Sequence, residues 1–341
     1  MAYNRETKQI IEYELILIFM KTGIFTYVSI FVAGMLMTSC NNAKIPELTS
    51  MKCEYVPDGG TAIIYGKHLK SSEVVFPGDL AVTPNVESND SVMYVVVPEG
   101  AQPGRLLVRN KAGETKSPFH FRDSRNVIIN FDNRIATWGG YEPFDENGNK
   151  IQGIVEIADS VTPLPSSLPD PCDGNYGFLY GHYDNSWTMT HTMFIQYVAN
   201  TEEGGRGNES VASLFKNESL NDLVLKFEVC IPKEVSYVGP RTELFFGPYV
   251  SGNKHGREKS AICFWKPYED NGGRGYNTGG SWVTVTIPLT EFHHGIDNDT
   301  IDSKYPLDLN TATNFSFVQF GKADSTLIYM CVDNFRIVPK Q

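Results

Sequence analysis

A chain of 341 residues with 41% apolar and 20% charged side chains is globular and long enough for two folded domains. Its formal net charge of -11 excludes nucleic acid as a partner, because no basic stripe exists to drive counterion release. Aromatic content of 12%, with 30 glycines and 19 prolines, points to an all-β protein rich in turns, suited to a neutral ligand or a protein surface.

Residues 21–40 read KTGIFTYVSIFVAGMLMTSC: one lysine, an apolar stretch from Ile24 to Met37, then small residues meeting a cysteine. That is the layout of an export signal, with Met20 as the effective start and residues 1–19 an upstream extension. A plain membrane span from Leu15 to Met37 is the competing reading, since only Lys21 is charged there. The end, Met37-Thr38-Ser39-Cys40, resembles the lipobox of bacterial lipoproteins, with Met37 where leucine is usual. The resemblance makes Cys40 the acylated residue and residues 1–40 a signal region. A polar Asn41-Asn42 linker begins just after it, which favours this reading over the span. Multiple acyl chains would give stable anchoring in the outer membrane.

Five further cysteines (Cys53, Cys172, Cys230, Cys263, Cys331) show no metal-ligand spacing. Cys230, Cys263 and Cys331 lie in strand-like segments, where cysteine packs as a small hydrophobe. One disulfide is compatible with export, and spacing does not select its pair.

Residues 41–122 are short strands with turn punctuation, among them Thr61–Tyr65, Glu73–Phe76, Ser91–Val97 and Arg105–Arg109. Such a segment makes a small β-sandwich. The succession Pro57, Gly59-Gly60, Ile63, Gly66, Leu69, Val74, Phe76, Gly78, Pro98, Gly104, Val108, Gly113, Phe119 resembles the IPT/TIG immunoglobulin-like family. With no aromatic cluster or titratable pocket, this first module reads as a spacer.

Residues 123–341 open on the apolar strand Asn126–Asp132 and close on Leu327–Val338, stopped by Pro339. Leu223–Ile231 and Phe315–Phe320 alternate as strands with one covered face, and Trp282, Thr284 and Thr286 alternate with Val283, Val285 and Ile287. Residues 208–216 have room for one short helix. The expected fold is all-β: an immunoglobulin-like (IPT/TIG) sandwich followed by a larger jelly-roll-type β-sandwich.

The opening INFD, the segment TGGSWVTVTIPLTEF (278–292) and the closing VDNFRIVP (332–339) resemble the glycan-binding domain of Bacteroides-type surface glycan-binding proteins of the B type. These are outer-surface lipoproteins of polysaccharide-utilisation systems, whose best-known member type binds xyloglucan. The resemblance implies binding of polysaccharide or oligosaccharide without cleavage, beside a TonB-dependent transporter, its surface lipoprotein partner and hydrolases. An enzyme on the same fold and a surface adhesion or assembly subunit are the alternatives.

Sugar rings need flat aromatic faces for their C–H surfaces and a few polar groups for their hydroxyls. Three loops supply them: Trp138-Gly-Gly-Tyr141, then the stretch from Tyr180 through Tyr183 to Trp187, and the run from Trp265 and Tyr268 to Arg274 and Tyr276. Asp184, Asn185 and Arg274 are candidate hydroxyl partners, while Trp282, inside an alternating strand, reads as core. The flat row Trp138, Trp187 and Trp265 suits an extended β-glucan or other β-linked hemicellulose. Glycoside cleavage would want two carboxylates at fixed separation, and no paired-acid motif, G-x-S-x-G or H-E-x-x-H stands out. His293-His294 reads as a solvated strand edge. No cofactor is expected beyond a structural Ca²⁺ between Asp132 and Asp333, one at each terminal strand of the module.

Overall fold

Short apolar segments punctuated by glycine and proline pair into sheets, and the sheets stack in two layers per module. The computed structural model describes residues 43–134, 154–157, 162–183 apart from 164 and 167, 193–199, 209–215, 218–238, 241–247, 260–293 apart from 270, 306–320 and 326–340. The first strands are β1 (Glu47–Met51), β2 (Thr61–Lys67), β3 (Glu73–Phe76), β4 (Leu80–Val82), β5 (Val92–Val96), β6 (Leu107–Asn110) and β7 (Gly113–Lys116). They form two antiparallel sheets, β1-β2-β5 and β4-β3-β6-β7. Period-two alternation turns Ala62, Ile64, Met93 and Val95 of one sheet towards Val74, Phe76 and Val108 of the other. Phe76 meets Phe121 edge-on at 5.2 Å.

The second module holds β8 (Val127–Ile129), β9 (Ile154–Ile157), β10 (Gly177–Tyr183), β11 (Met193–Tyr197), β12 (Leu223–Cys230), β13 (Arg241–Gly247), β14 (Ala261–Trp265), β15 (Val283–Pro288), β16 (Asn314–Phe320) and β17 (Thr326–Pro339). One sheet runs β15-β12-β17-β10-β9, with β8 also on β17; the other runs β11-β16-β13-β14. The β9–β10 pair is parallel. The short helix expected at 208–216 is a 3₁₀ turn, Val211–Phe215. Gly177 lets Phe131 lie against β10, because a Cβ there would come 2.5 Å from the ring.

Between the sheets, Phe227 of β12 stacks on Phe335 of β17 at 5.1 Å and meets Phe317 of β16 edge-on at 5.8 Å. Simple alternation along β17 cannot put both Val332 and Phe335 in that core, yet both are there. A β-bulge resolves the conflict: Lys226 faces Arg336 while Glu228 already faces Asp333. Asn334 takes the left-handed conformation (φ 50) that the bulge needs, which asparagine tolerates better than most residues. The bulge therefore sends both Asp333 and Arg336 to the outer face.

That outer face is where the modules meet. β12 is buried at every position, on both faces. Arg336 gives Nη1 to Glu228 Oε2 at 2.7 Å and Nη2 to Glu54 Oε2 of the first module at 2.8 Å. Lys226 Nζ reaches Glu54 Oε1 at 2.5 Å. Tyr55 lies under the Arg336 guanidinium at 5.0 Å, and its hydroxyl donates to the Asp123 carbonyl at 2.7 Å. Thr284 of β15 ties in both sides, accepting from Glu54 N–H and donating to Glu228. Two acids and two bases thus neutralise one another out of water. Residues 45–341 cluster as one compact unit, in which the first module packs against the second.

Breaking such a network by one partner leaves a buried charge uncompensated, at a cost of about 3–5 kcal/mol. Glu54→Ala is expected to lower the denaturant-unfolding free energy by that order. Glu47→Ala, which removes only the exposed partner of Lys67, is expected to cost under about 1 kcal/mol. Equal small losses in the two variants would contradict a load-carrying junction.

Candidate functional site

Much of the outer face of the six-stranded sheet is covered by the chain itself. Beside the junction it carries an aromatic layer of Tyr176, Phe178, Tyr180 and Tyr329. A proline-rich strap, 162–172, lies over this layer through backbone carbonyls. Tyr180 OH donates to Pro163 O at 2.7 Å, Tyr176 OH to Pro169 O at 2.9 Å, and Trp282 Nε1 to Asp170 O at 2.8 Å. Trp282 is half-buried, packing against both the first module's core and this layer. Its place is the seam between modules and not the sandwich interior, because it shares the parity of Thr284, whose hydroxyl faces Glu54.

In the four-stranded sheet, Phe317 and Trp265 point inward to Phe227. Thr242 also points inward, into a buried polar knot in which Tyr237 OH donates to Gln319 Oε1 at 2.9 Å and Gln319 Nε2 donates to Thr242 at 2.7 Å. Alternation then fixes the outer face: Gln196 on β11, Ser316 and Val318 on β16, Glu243 and Phe245 on β13, Ile262 and Phe264 on β14. The register aligns Gln196, Ser316, Phe245 and Ile262 in one rung and Val318, Glu243 and Phe264 in the next. Gln196 Nε2 donates to Ser316 Oγ at 3.0 Å, and Lys266 Nζ stands 5.7 Å from the Phe264 ring centroid. Amide, hydroxyl and carboxylate thus alternate with flat apolar groups across one sheet, the mixture a hydroxylated ring requires.

The candidates anticipated from sequence divide. Trp265, Tyr268 and Tyr276 do come together, with Trp265 meeting Tyr276 edge-on at 6.0 Å and stacking on Tyr237 at 6.4 Å. Trp265 faces the core, because it shares the parity of Ala261 and Cys263, so most of its ring is spent on packing rather than displayed. Arg274 is exposed on the neighbouring glycine-rich turn, away from the two rungs in sequence and strand. Tyr183 closes β10 opposite Thr326. Trp138, Tyr141, Asp184, Asn185, Trp187 and Cys40 lie outside the described residues. Sequence reasoning passed over Gln196, Glu243 and Ser316. Their signal was a polar residue at an alternate position of an otherwise apolar strand: FIQY, TELFF, NFSF.

A two-layer β-sandwich whose four-stranded sheet carries polar and aromatic side chains on its outer face, Gln196, Ser316, Glu243 and Phe245 all buried there, is the framework of a carbohydrate-binding class of module. The model of the surface glycan-binding protein B xyloglucan binding domain matches residues 121–339, and the chain belongs to that family. Its function is glycan binding. Among solved structures, a surface glycan-binding protein B from Prevotella bryantii aligns with TM-score 0.60 at 19% identity, over 87% of this chain and 77% of that one. One from a complex xyloglucan utilisation locus in Bacteroides uniformis aligns with TM-score 0.54 at 18% identity, over 87% and 74%. At such identities the likeness establishes the fold. No curated protein sequence matches. No helix among the described residues is long and apolar enough to cross a membrane.

The two aspartates expected to share a calcium ion take separate roles. Asp132 is exposed and accepts from the Asn175 backbone and side-chain amides, both at 2.8 Å. Asp333 is fully buried and accepts from Asn334 N–H at 2.7 Å, with the Cys172 thiol 3.7 Å away. Among the described residues no three His, Cys, Asp or Glu side chains are placed to hold a metal. Burial, reinforced by the nearby Glu228 charge, pushes the Asp333 carboxyl well above the usual range. A raised acid keeps its proton in the fold after the unfolded chain has lost it, so stability falls as pH rises from about 4 towards the folded value. Asp333→Asn is expected to flatten that fall, so that its stability relative to the parent improves with pH in denaturant titrations. Parallel curves would mean that Asp333 ionises normally.

Proposed function

We propose that the chain holds a β-linked glucan of the xyloglucan or mixed-linkage class against the outer face of the β11-β16-β13-β14 sheet. The observation carrying this reading is that the opposite outer face is taken up by the first module and the strap. Among the described residues, the four-stranded sheet places Gln196, Ser316 and Glu243 in register beside Phe245 and Phe264 on its outer face; these polar groups are buried, so sugar would have to displace what covers them. Phe264 and the loop aromatics Trp138, Tyr141 and Trp187 would supply stacking. Half of one aromatic side chain at ~25 cal/mol/Å² gives at most ~2–3 kcal/mol, and a few rings leave micromolar to millimolar affinity after the glycan is ordered. Gln196, Ser316 and Glu243 would orient the hydroxyls.

Cleavage has no support on that face, where Glu243 is the one acid among the described residues of the sheet and glycosidases use two. We read the protein as a capture device at the cell surface, tethered through a lipid on Cys40 and passing glycan to a transporter and hydrolases. The apolar run ending in Thr38-Ser39-Cys40 motivates the tether.

Calorimetric titration with xyloglucan and mixed-linkage β-glucan oligosaccharides tests the binding face. Glu243→Ala and Gln196→Ala are each expected to lose about tenfold in affinity or more. Trp265→Ala is expected to lower the melting temperature while affinity stays within a few-fold. Silence towards every β-glucan, or release of reducing ends, would overturn the reading. Cys40→Ala should leave the membrane fraction or remain unprocessed; a variant still sedimenting with membranes at mature size would remove the tether.

A further inference from the structure

Four cysteines that the binding face does not use lie around the seam between the modules. Cys53 follows β1, immediately before Glu54 of the ion network, and its thiol donates to Tyr55 O at 2.9 Å. Cys172 ends the strap of the second module, yet it is buried within the first module's apolar core, in the same cluster as Cys53. Burial first, and then the nearby Cys53 side chain, push the Cys172 thiol up. Cys230 and Cys331 stand opposite each other on β12 and β17. Cys263 is buried away from them, in the sandwich core.

We propose that Cys53 and Cys172 form a disulfide that staples the first module to the strap. Each belongs to a different module, so the bond closes a loop of about 120 residues, where restricting the unfolded chain is most effective. It would also pin the end of the strap that shields Tyr176 and Tyr180, and hold Glu54 within reach of Arg336. Formation removes both S–H hydrogens as two protons. The two electrons reduce the disulfide of an oxidising thiol–disulfide partner to two thiols, through a mixed disulfide on one of the cysteines. Both sulfurs are buried in the finished fold, and burial holds the Cys172 thiol well above its ordinary range. Exchange therefore belongs to the folding chain, before the seam closes, because the thiolate is the attacking species. Cys230 and Cys331 are disfavoured as a pair. Neighbours on one pleated face send their Cβ bonds side by side rather than towards each other, and a bridge there strains both strands.

The test uses the full chain, unfolded and reduced, then refolded with oxidised glutathione. Non-reducing digestion with mass spectrometry should return one linked peptide pair carrying Cys53 and Cys172. Cys230, Cys263 and Cys331 should be alkylated once the oxidised protein is unfolded. Reductant should lower the melting temperature of the oxidised protein by about 5 °C or more. That shift should vanish in Cys53→Ser and in Cys172→Ser and persist in Cys230→Ser. Alkylation of both Cys53 and Cys172 after oxidative refolding, a Cys230–Cys331 link, or an equal reductant shift in every variant would overturn the proposal.

Discussion

Arg336 is fully buried, and both of its amino groups are given to carboxylates that belong to different modules. Taking a guanidinium and two carboxylates out of water costs several kcal/mol per ion, recovered only when every charge has its partner in good geometry. Lys226 supplies the fourth charge that makes the set neutral, and Thr284 and the Asn334 carbonyl take remaining hydrogen bonds. The guanidinium Nε finds no acceptor among the described residues, a cost of about 1–3 kcal/mol that the stronger bonds must outweigh. Such a network tolerates little relative movement of its members. It rests in turn on the bulge at Asn334, which alone lets Phe335 enter the core while Arg336 leaves it.

Fixing the first module in this way has a consequence for binding. A sandwich has two outer faces, and here one is consumed by the junction and by the strap hydrogen-bonded over Tyr176 and Tyr180. The reading proposed above assigns the ligand to the four-stranded sheet, on whose outer face Gln196, Ser316 and Glu243 are buried. The first module thus covers part of one outer face of the second.

Much of the architecture was legible in the sequence because strands announce themselves by alternation. The segments Thr61–Tyr65, Glu73–Phe76, Leu223–Ile231 and Leu327–Val338 anticipate β2, β3, β12 and β17 to within about two residues at their ends. The parallel β9–β10 pair and the all-buried outer face of β12 were not legible. A lysine and a glutamate at alternate positions of β12 look like a solvated face until a partner from far along the chain is seen to cover them. Site residues fared less evenly. Tryptophan was favoured as a platform for its size, yet parity decides which way a strand side chain points, and Trp265 shares parity with the core residues Ala261 and Cys263. The smaller polar residues that share the outward parity were overlooked, since a lone Gln or Ser in a strand carries no motif.

A crystal structure with a bound xyloglucan oligosaccharide tests this account most directly. The account predicts sugar rings lying across β11, β16, β13 and β14, with hydroxyls in hydrogen-bond reach of Glu243 and Gln196. The strap should still cover Tyr180, and Arg336 should still bridge Glu54 and Glu228. Sugar seated at the Trp265–Tyr276 end, or on the Tyr180–Tyr329 layer with the strap displaced, would contradict it.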